Sequence, residues 1–355
     1  MNQTTFSQTY LESRQRFVQQ AKASGARLET IPIGPKQLYG PENEDLSIDI
    51  AIWGPQQGPT LVLSSGLHGI EGYCGSGIQL AAMKKSYPSE LKRIFIHAIN
   101  PFGMAHLRRV NENNVDLNRN FMLEPSDFKG CNEGYHQLNA LLNPTTPFKG
   151  FEPLMLFKTL WAIATKGIPT LKQAVACGQY HYPKGLFYGG SKLEEGPKML
   201  METLPKWYPS KAPIVHIDFH TGLGDFGDYA LLLEAAEDSD LYKEMINSFG
   251  EKIQPWQTGQ GVAYSITGGF PAALQDAFGD QIRVLTCEFG TYAPRKVIEA
   301  MTAENRAHFY GGQTQHAKAR FKETFYPQSQ QWHNEVLSKG LFVVDQALSY
   351  LSAPK

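Results

Sequence analysis

The N-terminal part of the chain shows two different periods of hydrophobic positions. Apolar residues recur at helical spacing over Tyr10–Ala23 with charges between them, which predicts an amphipathic helix that ends at Ser24-Gly25. Residues 28–33 and 46–53 then have the composition of strands. In the second strand the apolar side chains alternate and so share one face. They are Leu46, Ile48, Ile50 and Ile52.

Short apolar runs without alternation recur farther along the chain. Strands that are buried on both faces of a parallel sheet have this pattern. The runs occupy residues 60–63, 93–99, 214–219 and 283–287. Helices are predicted at residues 75–85 and 336–351. The strand–helix–strand order over residues 60–99 favours an α/β sheet with mainly parallel strands.

Residues 122–206 interrupt this order. They contain several Pro and Gly residues, a helical patch at residues 154–164 and an aromatic stretch at residues 180–190. Because strand patterns resume at Ile214, we interpret them as an insertion on one face of a single sheet, with a separate small domain as the alternative. The predicted fold is one α/β domain over residues 1–355. It has a mixed, mostly parallel twisted sheet, helices on both faces and a helical insertion.

The composition is that of an ordinary globular protein and disfavours several classes of partner. The 355 residues include 33 basic and 34 acidic side chains, for a formal net charge of -1. This balance gives no electrostatic reason to expect nucleic acid or an anionic membrane as partner. The 4 cysteines form no CxxC pair, which favours free thiols in a reducing compartment. No leader sequence and no apolar run of about 18 residues is visible, so we expect a cytoplasmic protein.

The first candidate chemistry follows the apolar run at residues 60–63. His68 and Glu71 lie three residues apart on a glycine-rich turn, from Gly66 to Gly72. Glycine lets the backbone turn tightly enough for the two side chains to converge. A histidine nitrogen and a carboxylate oxygen are both good zinc ligands. The turn therefore predicts part of a metal site, for which a third ligand, a base and an oxyanion stabiliser must be found elsewhere.

Three later segments carry polar residues at strand ends or in adjoining loops. They are residues 109–121, residues 216–222 and residues 286–291. In open α/β sheets, ligands gather at the carboxyl ends of the strands. We therefore expect these segments to meet the His68–Glu71 turn at one edge of the sheet.

With these motifs the chain resembles the zinc carboxypeptidase family, including its aspartoacylase and succinylglutamate desuccinylase relatives. The resemblance rests on the His-x-x-Glu pair, an Asn-Pro-x-Gly turn at Asn100, the string Asp-Leu-Asn-Arg-Asn-Phe from Asp116, and a later strand-end His and Glu. It spans residues 61–292 as ordered motifs, with the predicted insertion outside it. The pair alone is a weak signal, whereas the ordered set is a specific one.

The resemblance implies a zinc-carboxypeptidase-like fold and a set of metal ligands. His68, Glu71 and His220 would bind one zinc ion and leave a fourth position open, as catalytic zinc requires. Asp116 would accept a hydrogen bond from His68 and fix its tautomer, and Asp218 would lie in the next shell around the site.

The resemblance also implies the roles of the residues that meet the substrate. Glu288 would be the general base, and Arg109 would stabilise the oxyanion. Asn118 and Arg119 would hold a substrate carboxylate, because the guanidinium fork matches a carboxylate in geometry.

Three assignments keep alternatives. His216 and His220 share one face of a strand, and we favour His220 as the third ligand because it lies nearer the carboxyl end. Side chains of neighbouring residues diverge, so only one residue of the pair Arg108-Arg109 should face the metal, and the spacing of the resembled family selects Arg109. His216 and Asp218 could instead recruit a second metal ion.

The function that we predict is zinc-dependent hydrolysis of an amide bond, most simply removal of a C-terminal residue by a metallocarboxypeptidase. The alternative is an aspartoacylase-like deacylase that acts on N-acyl amino acids. A protein that binds a metal or a carboxylate without catalysis is the alternative from another class. The partner is then a peptide or an acyl-amino acid, with no nucleic acid and no membrane. Part of the aromatic stretch at residues 180–188 is expected to border the substrate cleft.

Overall fold

The computed structural model describes residues 5–33, 38–150, 177–209, 211–256 and 266–353. In this described part the chain forms ten α-helices and one sheet of eight strands. The helical patch predicted at residues 154–164 lies outside the described residues. None of the helices in these ranges combines the length and the apolar character needed to traverse a bilayer.

The sheet is mixed and mostly parallel, as predicted. Its strands are β1 Arg27–Pro32, β2 Ser47–Trp53, β3 Thr60–Ser65, β4 Lys92–His97, β5 Ile214–Gly222, β6 Tyr229–Leu233, β7 Ile253–Pro255 and β8 Ile282–Gly290. Their order across the sheet is β1-β2-β4-β3-β5-β8-β6-β7. Four neighbouring pairs, from β4 through β3 and β5 to β8 and between β6 and β7, are parallel, and the other three are antiparallel.

Helices cover both faces of the sheet, again as predicted. They are α1 Tyr10–Ala23, α2 Gly72–Ala82, α3 Pro101–Ala105, α4 Glu133–Leu142, α5 Glu195–Trp207, α6 Asp240–Phe249, α7 Phe270–Phe278, α8 Pro294–Tyr310, α9 Thr314–Phe325 and α10 Gln330–Ser352. Neighbouring residues of a strand face opposite sides, and Phe95 accordingly packs in a different apolar cluster from Ile94 and Ile96. The Phe95 cluster holds side chains of α1, α2 and α10, and the other cluster holds those of α5 and α7.

Glycines in the turn after β3 permit a close approach that positions the candidate metal ligands. A Cβ atom at Gly69 would lie 2.1 Å from the carbonyl carbon of Gly103 at α3. A Cβ atom at Gly75 would lie 2.5 Å from the Cβ of Ser65 in β3. Since real Cβ atoms do not come so near, only glycine lets the turn and α2 lie this close to their neighbours. This helix begins at Gly72, three residues before the predicted start.

The two strands that carry the later polar residues are longer than predicted. β5 continues to Gly222 and β8 continues to Gly290, so His220 and Glu288 both lie within strands. The two residues are register partners in the parallel pairing of β5 with β8. The predicted insertion at residues 122–206 contains α4 and α5 among its described residues, and α5 packs on the sheet.

Candidate metal and active site

Three candidate ligands from two strand ends converge at the carboxyl edge of the sheet. His68 precedes a short 3-10 turn after β3 and Glu71 is the last residue of that turn, while His220 lies in the last part of the neighbouring strand β5. One ligand atom from each residue lies within 4.8 Å of the others. In the described part of the chain this is the one group of His, Cys, Asp or Glu residues so arranged. All three side chains are buried.

The chemistry of this group fits zinc. Two imidazole nitrogens and one carboxylate oxygen form a ligand set that zinc accepts in catalytic sites, where a fourth position stays open. The ligand atoms already face a cation, because the guanidinium of Arg109 lies among them. Its Nη2 is 2.6 Å from Nε2 of His68, and its Nη1 donates to Oε1 of Glu71 at 2.9 Å. The site is thus built to surround positive charge.

His68 is held as a neutral imidazole. Burial lowers its pKa well below 6.5, and the positive charge of Arg109 lowers it further. Metal ligation requires this neutral form. Its Nδ1 lies 3.3 Å from Oδ1 of Asp116, although among the described residues this buried nitrogen has no partner at hydrogen-bond geometry. Asp116 therefore lies next to His68 without the predicted hydrogen bond, and it accepts a hydrogen bond from Nε of Arg109 at 3.0 Å.

His220 lies between two carboxylates. Its Nε2 is 2.6 Å from Oδ2 of Asp218, and its Nδ1 is 3.1 Å from Oε2 of Glu71. Burial alone would lower the pKa of His220, but the negative charges of Asp218 and Glu71 outweigh it and hold the pKa well above 6.5. Without a metal, the Nδ1 proton binds Glu71, so a metal that joins Nδ1 and Glu71 must displace that proton.

A chain of hydrogen bonds through Ser64, His216 and Tyr208 holds the carboxylate of Asp218 in place. Ser64 in β3 pairs in register with Asp218 in β5, and its hydroxyl donates to Oδ1 of Asp218 at 2.6 Å. The oxygen of Ser64 then accepts from Nε2 of His216 at 2.7 Å. Nδ1 of His216 accepts in turn from the hydroxyl of Tyr208 at 3.1 Å. Burial lowers the pKa of His216 to about 4, which keeps its ring neutral and fits this single direction of donation.

This series of hydrogen bonds bears on the two alternatives for β5, which are His216 as the third ligand and a second metal ion at His216 and Asp218. The two nitrogens of His216 contact Ser64 and Tyr208, away from the group that joins His68, Glu71 and His220. Both oxygens of Asp218 accept hydrogen bonds within the chain. A second metal at His216 and Asp218 would have to break these contacts, so the described geometry favours one ion.

Glu288 lies beside the ligands on β8. Its side chain is partly exposed, and its Oε1 accepts a hydrogen bond from the backbone N–H of Leu223 at 3.0 Å. Loss of solvent around the carboxyl raises its pKa to about 7, and repulsion from Glu71 adds to this, whereas His220 and Arg109 act in the opposite direction. A carboxylate with a pKa near neutrality can take up and release a proton at working pH.

Asn118 and Arg119 lie in a short 3-10 turn that the carboxylate of Asp116 caps, because Oδ1 of Asp116 accepts the N–H of Asn118 at 3.1 Å. Oδ1 of Asn118 accepts the N–H of Phe270 at 2.9 Å, and Nη1 of Arg119 donates to the carbonyl of Asn118 at 2.8 Å. Arg119 is fully buried, which the sequence did not predict.

Phe187 contacts both Arg109, the candidate oxyanion stabiliser, and Arg119, a candidate substrate-binding residue. The guanidinium carbon of Arg109 lies 5.5 Å from the centre of its ring, and that of Arg119 lies 5.8 Å from it. Both distances allow cation–π attraction. Phe187 belongs to the aromatic stretch that we expected to border the cleft, and it lies next to both arginines.

Sequence reasoning missed Ser64, Tyr208 and the place of Phe187 in the site. A signal for Ser64 was available, since a polar residue ends an apolar strand that precedes a ligand motif. Tyr208 follows α5 in the predicted insertion, and nothing in its local sequence indicates a contact with His216.

A protein-family model described as "Protein of unknown function (DUF2817)" matches residues 6–339. The chain belongs to the DUF2817 family. A comparison with proteins of curated function finds no match. Family membership therefore places the chain without assigning it an activity.

Solved structures resemble this DUF2817 protein in fold. Thrombin activatable fibrinolysis inhibitor matches with a TM-score of 0.51 at 12% identity, over 97% of this chain and 74% of that one. The murein-tripeptide amidase MpaA from Escherichia coli O157 has a TM-score of 0.41 at 16% identity, over 80% and 95% of the two chains. A metallo-carboxypeptidase from Pseudomonas aeruginosa has a TM-score of 0.41 at 14% identity, over 95% and 69%. The predicted α/β fold with a mixed, mostly parallel sheet is confirmed, and at these identities the comparisons concern the fold alone.

Proposed function

We propose that this protein is a zinc-dependent hydrolase of the metallocarboxypeptidase type, which cleaves the amide bond next to a free carboxylate. One observation carries the proposal. A buried His–Glu–His group has a partly exposed carboxylate with a near-neutral pKa beside it, on the adjacent strand. A metal site that only stabilised the fold would have no use for a base at this place.

His68, Glu71 and His220 would hold the zinc ion. The chemistry that zinc supplies in such a site is polarisation of a carbonyl group and a lower pKa for a nearby water molecule. Asp218 orients the ring of His220 through its hydrogen bond, and Asp116 would orient that of His68, whose Nδ1 lies 3.3 Å from its carboxylate.

Glu288 transfers a proton from the attacking water to the leaving nitrogen. Its carboxylate takes a proton from the water that attacks the carbonyl carbon, and passes it to the nitrogen as the carbon–nitrogen bond breaks. The products are a carboxylic acid and a free amine. Arg109 contributes positive charge next to the ligands, where negative charge develops on the carbonyl oxygen.

Arg119 and Asn118 recognise the carboxylate of the amino acid that leaves. Both lie in the turn that Asp116 caps, and the guanidinium carbon of Arg119 lies 5.8 Å from the centre of the Phe187 ring. Peptides and N-acyl amino acids both present such a carboxylate beside the amide bond. Either class therefore fits the proposal, and a blocked carboxylate does not.

The test compares matched substrates on protein loaded with zinc. N-benzoylglycyl amino acids and N-acetyl amino acids are each supplied with a free or an amidated C-terminus. We expect one zinc per chain, hydrolysis that a chelator stops and zinc restores, and at least a tenfold slower reaction of the amidated forms, as for loss of a charged hydrogen bond of about 1.5–3 kcal/mol. No zinc uptake would refute the site, and zinc uptake without hydrolysis would favour a binding protein.

The hydrogen bonds that join Asp218, Ser64 and His216 give a separate prediction for zinc affinity. Ser64→Ala removes the donor to Asp218 and leaves Nε2 of His216 without its acceptor. We expect zinc affinity, measured by competition with a chelator, to fall by about 10- to 100-fold, as for other groups that orient metal ligands. Ser65→Ala is the matched control, because its hydroxyl is also buried but donates to Gln79 instead. Equal losses in both variants would show a general effect on packing.

A further inference from the structure

Phe187 has a backbone conformation that bulky residues rarely adopt. Its φ angle is 57°, in the left-handed region, and its side chain is buried. Left-handed backbone is unfavourable for a residue with a large side chain, whereas glycine adopts it freely. The chain has glycines close by, at Gly185, Gly189 and Gly190, but carries an aromatic ring at this position. Strained residues of this kind cluster at functional sites, so the ring calls for an explanation.

Hydrogen bonds on both sides hold the strained segment in place. The carbonyl of Leu186 accepts from the hydroxyl of Tyr135 at 2.6 Å. The carbonyl of the strained residue itself accepts the N–H of Gln179 at 3.1 Å, and the carbonyl of Tyr188 accepts the N–H of Asp116 at 2.7 Å. Three successive carbonyls are thus fixed, which is how a folded protein maintains an unfavourable conformation. The last of these bonds ties the segment to the candidate active site.

The ring of Phe187 lies against two guanidinium groups. The guanidinium carbons of Arg109 and Arg119 lie 5.5 and 5.8 Å from the ring centre. Attraction between a cation and an aromatic ring is strongest where both are shielded from water, and here the ring and both arginines are buried. Arginine side chains have many rotamers, so each contact restricts the position of a charge that would otherwise vary.

Asp116 restrains the same two arginines by other means. Its carboxylate accepts Nε of Arg109 at 3.0 Å, and it accepts the N–H of Asn118, in the turn that carries Arg119, at 3.1 Å. Burial alone would raise the pKa of Asp116, but the charges of Arg109 and Arg119 outweigh it and hold the pKa below its usual value. Because the N–H of Asp116 also binds Tyr188, this carboxylate and the ring of Phe187 belong to one connected unit.

Close packing limits the stem of Arg119 as well. A Cβ atom at Gly178 would lie 2.8 Å from Cδ of Arg119, so only glycine allows the backbone to lie so close to this side chain. The hydroxyl of Tyr180 donates to the carbonyl of Arg119 at 2.8 Å. Arg119 is therefore held at its backbone, along its stem and at its guanidinium.

We propose that Phe187 is a positioning residue whose ring fixes the separation between the charges of Arg109 and Arg119. The inference rests on the proposed function, in which Arg109 meets the oxyanion and Arg119 meets the carboxylate of the leaving amino acid. Two cations at a fixed separation accept one spacing between the two negative groups of a substrate. In the proposed reaction this spacing is one carbon between the amide nitrogen and the carboxylate. The ring thus contributes to selection of the leaving group by acting through the two arginines.

Binding of two analogues to the zinc-loaded protein tests the proposal without turnover. N-(phenylphosphonyl)glycine and N-(phenylphosphonyl)-β-alanine each carry a tetrahedral anion and a carboxylate, and they differ by one methylene between these groups. By calorimetry we expect the unmodified protein to prefer the glycine compound by about tenfold or more. Phe187→Leu keeps an apolar side chain but has no ring. It should reduce this preference by about threefold or more, as for loss of a buried cation–π contact.

Fluorinated phenylalanines separate the charge of the ring from its shape. Fluorine withdraws electron density from the face of the ring and so weakens its attraction to a cation, while the shape changes little. Phenylalanines with one, two and three fluorine atoms at position 187 should narrow the preference step by step. The same series at Phe95 is the matched control and should leave the preference unchanged, because Phe95 is a fully buried ring in β4 that packs against Trp53.

A merely structural role for Phe187 predicts a different result. A loosened loop would weaken the binding of both analogues by the same factor, so the preference would stay the same in every variant. That result, or equal or absent binding of the two analogues by the unmodified protein, would overturn the proposal. Thermal unfolding checks the fold of each variant. If no amide is hydrolysed but the preference follows fluorination, the positioning role stands and the proposed reaction fails. If amides are hydrolysed but fluorination has no effect, the reaction stands and the positioning role fails.

Discussion

Replacing Glu288 with Gln is expected to abolish amide hydrolysis while the protein keeps its zinc. Glutamine has the same shape and can still accept the N–H of Leu223, but it cannot take a proton from water. Loss of a general base costs about 10²- to 10⁴-fold in rate. The experiment measures the steady-state rate and the zinc content of the same preparation. Glu335→Gln, an exposed change on α10, is the matched control.

The pH dependence of the rate identifies the same residue. The pKa of Glu288 is raised to about 7, so the carboxylate is protonated and inactive below its pKa and active above it. The rate of the unmodified protein should therefore fall as the pH falls through this pKa. Repulsion by Glu71 is one cause of the raised pKa of Glu288, and a cation bound at Glu71 weakens that repulsion. The acidic limb of the pH–rate profile should therefore lie at or below about 7. The Gln variant should lack this limb. Hydrolysis at the normal rate, or loss of zinc from the variant, would refute the base assignment.

The parts of the site that the sequence predicted are those whose geometry is local. His68 and Glu71 are three residues apart on one turn, so their convergence needs only the glycines that shape that turn. The sequence also predicted the edge of the sheet at which Glu288 and His220 would lie, because the carboxyl ends of parallel strands meet at one edge. Their exact strand positions did not follow, because both strands continue past the apolar runs.

The parts that the sequence did not predict depend on register and on distant packing. Ser64 contacts Asp218 because β3 and β5 pair in one particular register, which no local pattern specifies. Tyr208 reaches His216 from a segment after α5, and Phe187 contacts two arginines through the packing of another loop. These contacts arise from tertiary structure, which hydrophobic periodicity does not predict.

Helix α2 shows how tertiary packing overrides local preference. Its start at Gly72 and the glycines that follow it have poor helix propensity, which favoured a later start. The helix nevertheless begins there, because Gly75 lets it pack directly on β3 and β5. The same packing holds the end of the ligand turn, since the last residue of that turn, Glu71, immediately precedes the helix. In this helix, glycine is needed because it allows close packing on the strands rather than because it makes the backbone flexible.

The second large effect is expected for His220→Ala, which should leave the protein without bound zinc. It removes one of three ligands, so the loss of affinity should far exceed the roughly 10- to 100-fold expected when Ser64 is changed. His216→Ala is the control, because His216 contacts Ser64 and Tyr208 and no metal ligand. It should keep one zinc per chain with reduced affinity. Loss of zinc from the His216 variant alone would reverse the ligand assignment.

Proton release distinguishes the role of His220 from that of its neighbours. The carboxylates of Asp218 and Glu71 outweigh burial and hold the pKa of His220 well above 6.5, so without metal its ring is protonated at neutral pH. Zinc must displace the Nδ1 proton, and zinc affinity should therefore rise with pH until the unloaded protein loses this proton by itself. Calorimetry of zinc uptake in buffers of different ionisation enthalpy counts the released proton. The Ser64 variant should still release it, because its His220 keeps both carboxylate neighbours. Zinc uptake without proton release would mean that His220 does not bind the metal through this nitrogen.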